Sequence, residues 1–344
     1  MTLAIILLAA GHGTRINSRR QKVLHEVGGK PMVMHPFDAA ESLADLKPVV
    51  VVGAGEQGVQ GLLGDRAQYV VQEERLGTGH ATLAAREALE GRADQVLVTY
   101  GDMPLLQART MAQLAQTQAQ TGAVVVMLTV PGETDSAFGR VLRDDAGRVT
   151  EIVEVAQARA SDDAERILAI GEHNAGVYCF DAAWLWTNLP NLPLRQARSG
   201  PEYYLTDMVS IAVAQGRDVE AVRAAEADEG LGAGTRAELV AVERALRDRV
   251  NRRWLTEGVT LVDPQTTYID PDVKIGQDSV IWPNSYLQGK TVVGRDCIVG
   301  PNAVLRDAVL GDGCRVMQAV LEGVTVGSGD TVVPGSYLEE NDDD

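Results

Sequence analysis

The chain has 344 residues, enough for two domains at roughly 100–200 residues each. Hydrophobic residues make up 45% and aromatics only 4%, so its cores rest on aliphatic side chains. A formal net charge of −17 opposes nucleic-acid polymers and anionic membranes, so an anionic small substrate would need local cations or a metal ion. No apolar run approaches the ~18 residues of a membrane span. Met1-Thr2-Leu3 leads straight into a strand pattern without the basic flank of a signal peptide. The three cysteines show no Cys-x-x-Cys pair, which points to a reducing cytoplasm and away from a disulfide framework or a zinc site. The five histidines show no metal-ligand spacing.

The first expected strand, Leu3–Leu8, runs into the glycine-rich turn Leu8-Ala9-Ala10-Gly11-His12-Gly13-Thr14-Arg15, followed by Lys22-Val23-Leu24-His25. Glycine lets the backbone approach a ligand and turn its amides toward it. Arg15 and Lys22 can neutralise phosphate oxygens. Together they point to a nucleoside triphosphate site on an α/β sheet. The turn is not a Walker A loop, because no Gly-Lys-Ser/Thr follows Gly13, and Ile16 stands where a dinucleotide fingerprint needs its third glycine.

Further strands are expected at Pro48–Val52, Tyr69–Gln72, Gln95–Thr99 and Ala123–Thr129. Several are continuous aliphatic runs, as a parallel sheet covered on both faces requires. Helical patterns at Thr78–Leu89 and Thr110–Gln120 lie between them. This alternation implies a doubly wound sheet that binds ligands at the carboxyl ends of its strands. Pro36 falls inside an otherwise helical stretch and is expected to delay or kink it. A hairpin is expected from Arg140–Arg143 and Val149–Val153 around Asp144-Asp145-Ala146-Gly147.

Thr235-Arg236-Ala237-Glu238 reads as a capping box opening a helix that places Leu239, Val242, Leu246, Val250 and Trp254 on one face, with Gly258 past its end. We read residues 233–262 as a connector after a first domain at 1–232. From 263 the period changes: Ile275, Ile281, Leu287, Val293, Val299 and Leu305 recur every six residues, then Leu310, Val316, Leu321 and Val326 at shorter steps. Small residues precede most of them by two: Ser279, Ser285, Thr291, Ala303, Ala308 and Ala319. This is the hexapeptide repeat of a parallel β-helix over 263–338, each unit forming one side of a triangular prism. Cys297 and Cys314 occupy the small-residue position and should stack on one edge as inert core. The acidic stretch 339–344 is expected to be a solvated tail.

Leu8–Arg15, Lys22–His25 with Gly29-Lys30-Pro31, Gln72 with Leu76-Gly77-Thr78-Gly79-His80-Ala81, Tyr100-Gly101-Asp102-Met103-Pro104-Leu105, Gly139-Arg140, Ile152-Val153-Glu154, Asn174-Ala175-Gly176 and Glu202-Tyr203-Tyr204-Leu205-Thr206-Asp207 together resemble the bacterial UDP-N-acetylglucosamine pyrophosphorylases (N-acetylglucosamine-1-phosphate uridyltransferases). In that family the domain is usually the N-terminal half of a bifunctional enzyme. The other half is a glucosamine-1-phosphate acetyltransferase on a left-handed β-helix. The resemblance implies a Rossmann-like nucleotidyltransferase domain followed by a short left-handed β-helix. It implies that Leu8, Ala9, Ala10, Gly11, Gly13, Gln72, Gly77 and Thr78 hold the nucleotide. Arg15 and Lys22 would contact its phosphates, and Asp102 would be both catalytic and the Mg²⁺ ligand. Tyr100, Gly101, Gly139, Glu154, Asn174 and Tyr204 would meet the amino sugar. The implied substrates are UTP and an amino-sugar-1-phosphate, with no nucleic-acid or membrane partner, in a cytoplasmic homotrimer assembled through the β-helix.

Four departures from the family pattern stand out. Gln21 replaces the usual proline before the lysine and is expected to loosen the loop presenting Lys22. Val155-Ala156-Gln157-Ala158 lacks the usual lysine, and Ala175 replaces a threonine. Gly234 falls where the family supplies an asparagine that shares the metal. The chain ends near Tyr337, before the family's acetyltransferase residues, so no acetyltransferase activity is expected. Two alternatives are a nucleotidyltransferase of other nucleotide or sugar specificity and a catalytically weak UDP-sugar-binding paralogue.

Overall fold

A computed structural model describes residues 1–11, 13–134, 136–197 and 200–340. The chain divides into two compact units, residues 1–25 with 31–242 and residues 26–30 with 243–344. The division falls within the helix Arg236–Thr256 rather than at either end of it. No helix among the described residues is long and apolar enough to cross a membrane.

The first unit is built on a nine-stranded sheet. Its strands are β1 Leu3–Leu8, β2 Val49–Gly53, β3 Gln68–Gln72, β4 Gln95–Tyr100, β5 Val125–Pro131, β6 Arg140–Arg143, β7 Val149–Val153, β8 Glu172–Asp181 and β9 Val219–Arg223. The order is β9-β5-β8-β4-β1-β2-β3, with β6 pairing β8 and β7 pairing β6. β1 runs parallel to β2 and β4, with Leu8 opposite both Val51 and Tyr100. That register aligns the turn after Leu8 with Gly101-Asp102, and the Gly101 N–H donates to Leu8 O at 2.9 Å. β1 is buried along its whole length. Ile6 packs with Val49 and Val98, Ile5 with Leu97 and Met111, and Leu7 with Val50 and Phe37, so successive side chains feed cores on both faces.

Two strands escaped the sequence pattern. β8 lies in the middle of the sheet and is antiparallel to β4 and β5, so the sheet is mixed rather than parallel. Its first half carries His173, Asn174 and Gly176, and its register shifts between Asn174 and Tyr178, which conceals an apolar run. β9 has partly exposed positions on an edge and carries no continuous apolar signal. The helix expected at Thr78–Leu89 breaks at Ala85 into Gly77–Ala84 and Arg86–Leu89. Pro36 falls in the first turn of Met34–Glu41, where a missing N–H costs no intrahelical bond. Thr235 Oγ1 accepts from Glu238 N at 3.2 Å, while the Glu238 carboxylate accepts from the N–H of Gly234 rather than of Thr235, so the capping box closes one residue early.

The second unit is a left-handed parallel β-helix of three sheets with five, five and four strands. Tyr286 pairs with Val304, and Val304 with Val320, so the coils shorten along the prism as the shrinking sequence period implied. The ten aliphatics of the repeat register, from Ile275 to Val326, are all buried, as are the small residues that precede most of them by two. Asp278, Asn284, Asp296, Asn302, Asp307 and Gln318 turn the corners with φ between 50° and 63°. Asn and Asp tolerate that left-handed region better than other L-residues. Each corner residue directly precedes a small buried one, because a larger side chain would not fit inside the bend. Cys297 and Cys314 are free and buried on adjacent coils, their thiols donating to Gly311 O at 3.1 Å and Gly327 O at 3.0 Å. The acidic stretch expected to be a tail begins inside structure: Tyr337–Glu339 is a strand and Glu340 N donates to Glu322 O. Residues 341–344 of that stretch lie outside the described residues. Residues 26–30, which the sequence placed in the first domain, belong to this unit; Gly28 N donates to Glu243 Oε2 at 2.8 Å.

Candidate active site

At the edge of the first unit where β1 and β4 end, two cavities adjoin. One holds about 380 Å³ and is lined by Leu8, Ala9, Ala10, Gly11, Lys22, Gln72, Gly77 and Thr78, together with Arg75 and Glu202. The other holds about 500 Å³ and is lined by Gly139, Glu154, Asn174, Ala175, Gly176 and Gly232. Thr78, Tyr100, Asp102 and Tyr204 line both and form the junction. Three expected site residues line neither cavity: Arg15, Gly13 and Gly101.

The turn after β1 closes on Lys22. Gly13 has φ of 64°, and a Cβ there would lie 2.4 Å from Lys22 Cβ, so the close approach requires glycine. His12 lies outside the described residues. Lys22 Nζ meets Asp102 Oδ2 at 2.5 Å, and the two side chains are 16% and 20% exposed. A half-desolvated ion pair at the mouth of both cavities gives one anchoring cation and one carboxylate at the same point. Arg15 is exposed, and its guanidinium lies against Gly234 instead. Gly101 is packed behind the wall, where a Cβ would touch Val33, Ala9 and Val23. His25 is buried beside Arg236, and burial followed by that cation lowers its pKa.

Gln72 ends β3 and is 4% exposed. Its Nε2 donates to Gly77 O at 3.2 Å and faces His80 Nδ1 at 3.2 Å, which fixes the amide plane at the cavity wall. Gly77 has φ of 91°, and a Cβ there would fall 2.6 Å from Tyr203 O. Leu76 O accepts from Tyr203 N at 2.7 Å, so the segment at 203–204 is tied to the turn. Thr78 Oγ1 accepts from Leu205 N at 3.0 Å.

In the larger cavity Glu154 caps the helix Val155–Arg159. Burial, then the charge of Asp207, raises its carboxyl pKa. Burial, then Asp102, also raises the Tyr100 hydroxyl, so it stays protonated at neutral pH. Asn174 is 5% exposed and held by Tyr178 and Gly176: its Oδ1 accepts from the Tyr178 hydroxyl at 3.0 Å and from Gly176 N at 3.0 Å. That ties the side chain to the bulge in β8. Tyr178 is the partner that the sequence did not reveal.

A Cβ on Gly234 would meet Arg15 first, at 2.7 Å, and Glu238 at 3.1 Å, whereas a Cβ on Gly232 would lie 3.4 Å from Asp102 O and 3.8 Å from its Oδ2. One sequence expectation is corrected: Gln21 does not loosen the loop, since its Nε2 donates to Ala9 O at 3.1 Å and to Glu56 Oε2 at 2.9 Å. Arg75 was also missed, although it adjoins the Gly77-Thr78 motif. Among the described residues no group of three or more His, Cys, Asp or Glu could hold a metal ion. A divalent ion at Asp102 would fit with ligand phosphates and water completing its coordination, a pattern Mg²⁺ accepts.

The chain matches the MobA-like NTP transferase domain over residues 5–255 and the bacterial transferase hexapeptide (six repeats) over residues 272–307. It is 40% identical to the bifunctional protein GlmU of Heliobacterium modesticaldum over 333 residues, covering 97% of this chain and 71% of that protein. It is 42% identical to the bifunctional protein GlmU of an Exiguobacterium species over 336 residues, covering 97% and 73%. With that of Trichlorobacter lovleyi it shares 40% identity over 345 residues, covering 98% and 74%.

Proposed function

Since the chain belongs to the GlmU family and is a nucleotidyltransferase, we propose that its first unit joins UTP to N-acetylglucosamine-1-phosphate, releasing pyrophosphate. The observation that carries this is the Lys22–Asp102 pair at the junction of the two cavities. The smaller cavity takes the nucleotide, with Gln72 and the backbone near Gly77 at the pyrimidine edge. The larger takes the sugar, with Gly139, Glu154, Asn174 and Tyr204 around its hydroxyl and amide groups. A phosphate oxygen of the sugar phosphate attacks the α-phosphorus of UTP. One P–O bond forms, and the bond to the leaving pyrophosphate breaks. Lys22 neutralises the charge that develops in that step, and the two cavities hold the reacting groups in line. Asp102 would hold a Mg²⁺, which when bound supplies charge neutralisation across phosphate oxygens. Arg15, exposed beside Gly234, is proposed to meet the departing pyrophosphate.

Residues 243–344 contain no histidine, the commonest side chain for general acid–base chemistry. We therefore assign the coils to assembly rather than to acetyl transfer. Tyr286, Met317, Val333 and Tyr337 are exposed on the prism, apolar area that a second and third copy would cover in a homotrimer. Light scattering on the purified chain tests this, with a trimer mass as the supporting result. Pyrophosphate release from UTP and N-acetylglucosamine-1-phosphate with Mg²⁺ tests the reaction. Release no greater than that of Asp102→Ala would count against it.

A further inference from the structure

Three side chains outside the expected site, Gln21, Glu56 and Arg75, converge beside the nucleotide-side cavity, which Arg75 lines. β2 ends at Gly53 and β3 at Gln72, paired across the sheet, so Glu56 and Arg75 emerge next to each other just beyond the two strand ends. Glu56 Oε1 accepts from Arg75 at 2.8 Å and Oε2 accepts from Gln21 Nε2 at 2.9 Å. Each donor then reaches the loop after β1: Arg75 Nε donates to Ala10 O at 2.9 Å, and Gln21 Nε2 donates to Ala9 O at 3.1 Å. Gly53 makes the approach possible, since a Cβ there would lie 2.6 Å from Arg75 and 2.7 Å from Glu56.

We propose that Glu56, through Gln21 and Arg75, is a positioning residue that fixes the Ala9–Ala10 peptides of the nucleotide loop. Holding both carbonyl oxygens fixes the planes of the two peptides between Ala9 and Gly11, residues that line the cavity. The amides of Ala10 and Gly11 are then fixed before a nucleotide arrives, so binding loses less freedom in the loop. The Glu56 side chain is 15% exposed, so its charge-assisted bond to Arg75 is partly shielded from water. The device also explains how Gln21 serves where relatives use proline. Gln21 has φ of −54°, an angle proline would accept, so one residue type stiffens the approach to Lys22 by its ring and the other by its side chain.

The inference rests on the smaller cavity taking the nucleotide. The test is steady-state kinetics of wild type, Glu56→Ala, Glu56→Gln and Gln21→Pro with UTP, dTTP, CTP and ATP as separate nucleotides. In Glu56→Ala the KM for the nucleotide should rise about tenfold, the equivalent of about 1.4 kcal/mol. Its kcat and its KM for the sugar phosphate should stay near wild type, and Glu56→Gln should recover part of the loss. Adding Gln21→Pro to Glu56→Ala should raise nucleotide KM further, because proline has no donor for Ala9 O. A nucleotide KM within twofold of wild type in folded Glu56→Ala would overturn the proposal. Should Glu56→Ala fail to fold, Gly53→Ala, which displaces only the far ends of Glu56 and Arg75, carries the same expectation. Turnover of another nucleotide but not of UTP contradicts the uridylyl reading alone, and the clamp is then scored on the nucleotide that is used.

Discussion

Placing asparagine at 232 separates the two glycines that compete for the position beside Asp102. At Gly232 a Cβ meets nothing closer than 3.4 Å, and the backbone is not in the left-handed region, so Asn enters without strain. Stability should hold or rise slightly, since a compatible replacement of glycine typically gains about 0.4–1 kcal/mol through the unfolded chain. The side chain would start 3.8 Å from Asp102 Oδ2 and could offer an amide oxygen to the same cation. If that adds as much as an ordinary net hydrogen bond, about 0.5–1.5 kcal/mol, half-saturating Mg²⁺ should fall by about 2- to 10-fold. Gly234→Asn should not do this, because its Cβ would point at Arg15 and Glu238. The assay is initial rate of pyrophosphate release against Mg²⁺ concentration for both variants. A lowered Mg²⁺ requirement in Gly234→Asn with none in Gly232→Asn would refute the placement.

Lys22→Met should lower kcat about 10²- to 10³-fold, the scale for losing one preorganised donor to developing charge. Its melting curve should move little, since both members of the Lys22–Asp102 pair retain solvent access. Gly77→Ala should raise the KM of both substrates and lower the melting temperature of the first unit, because the new Cβ meets Tyr203 backbone at 2.6 Å and Thr78 lines both cavities. Burial raises the Glu154 pKa, so the ionised residue costs stability once pH exceeds its unfolded value, and that cost is complete above its folded one. Melts across pH should therefore show Glu154→Gln gaining on wild type as pH rises from 4 to 7; a gap that is flat or shrinks contradicts this. Leu305→Ala, at a fully buried repeat position, should cost about 2–5 kcal/mol in the second unit, read from its thermal unfolding.

The repeat was legible because period is a one-dimensional property: one aliphatic per prism side and one small residue per corner leave a mark that no other fold produces. β1 was legible with its exact limits, being apolar throughout and ended by glycines. β8 was not, because a central strand that opens with His173 and Asn174 and bulges before Tyr178 looks like loop until its neighbours are known. In the site, Lys22, Asp102, Gln72 and Gly77 followed from motifs that adjoin strand ends. The Glu56–Gln21–Arg75 network was hidden because its members come from three separate segments, two of them brought together by the pairing of β2 with β3 and the third by the Gln21 amide. Gly232 and Gly234 differ in which neighbour they face, a fact of backbone direction that spacing does not carry.

The most direct measurement is pyrophosphate release by the purified chain with UTP, N-acetylglucosamine-1-phosphate and Mg²⁺, compared with Asp102→Ala and with reactions lacking either substrate or the metal. Release should need all three components and be lost in Asp102→Ala. Equal release by that variant, or tight UDP-sugar binding without any turnover, would contradict the proposed reaction.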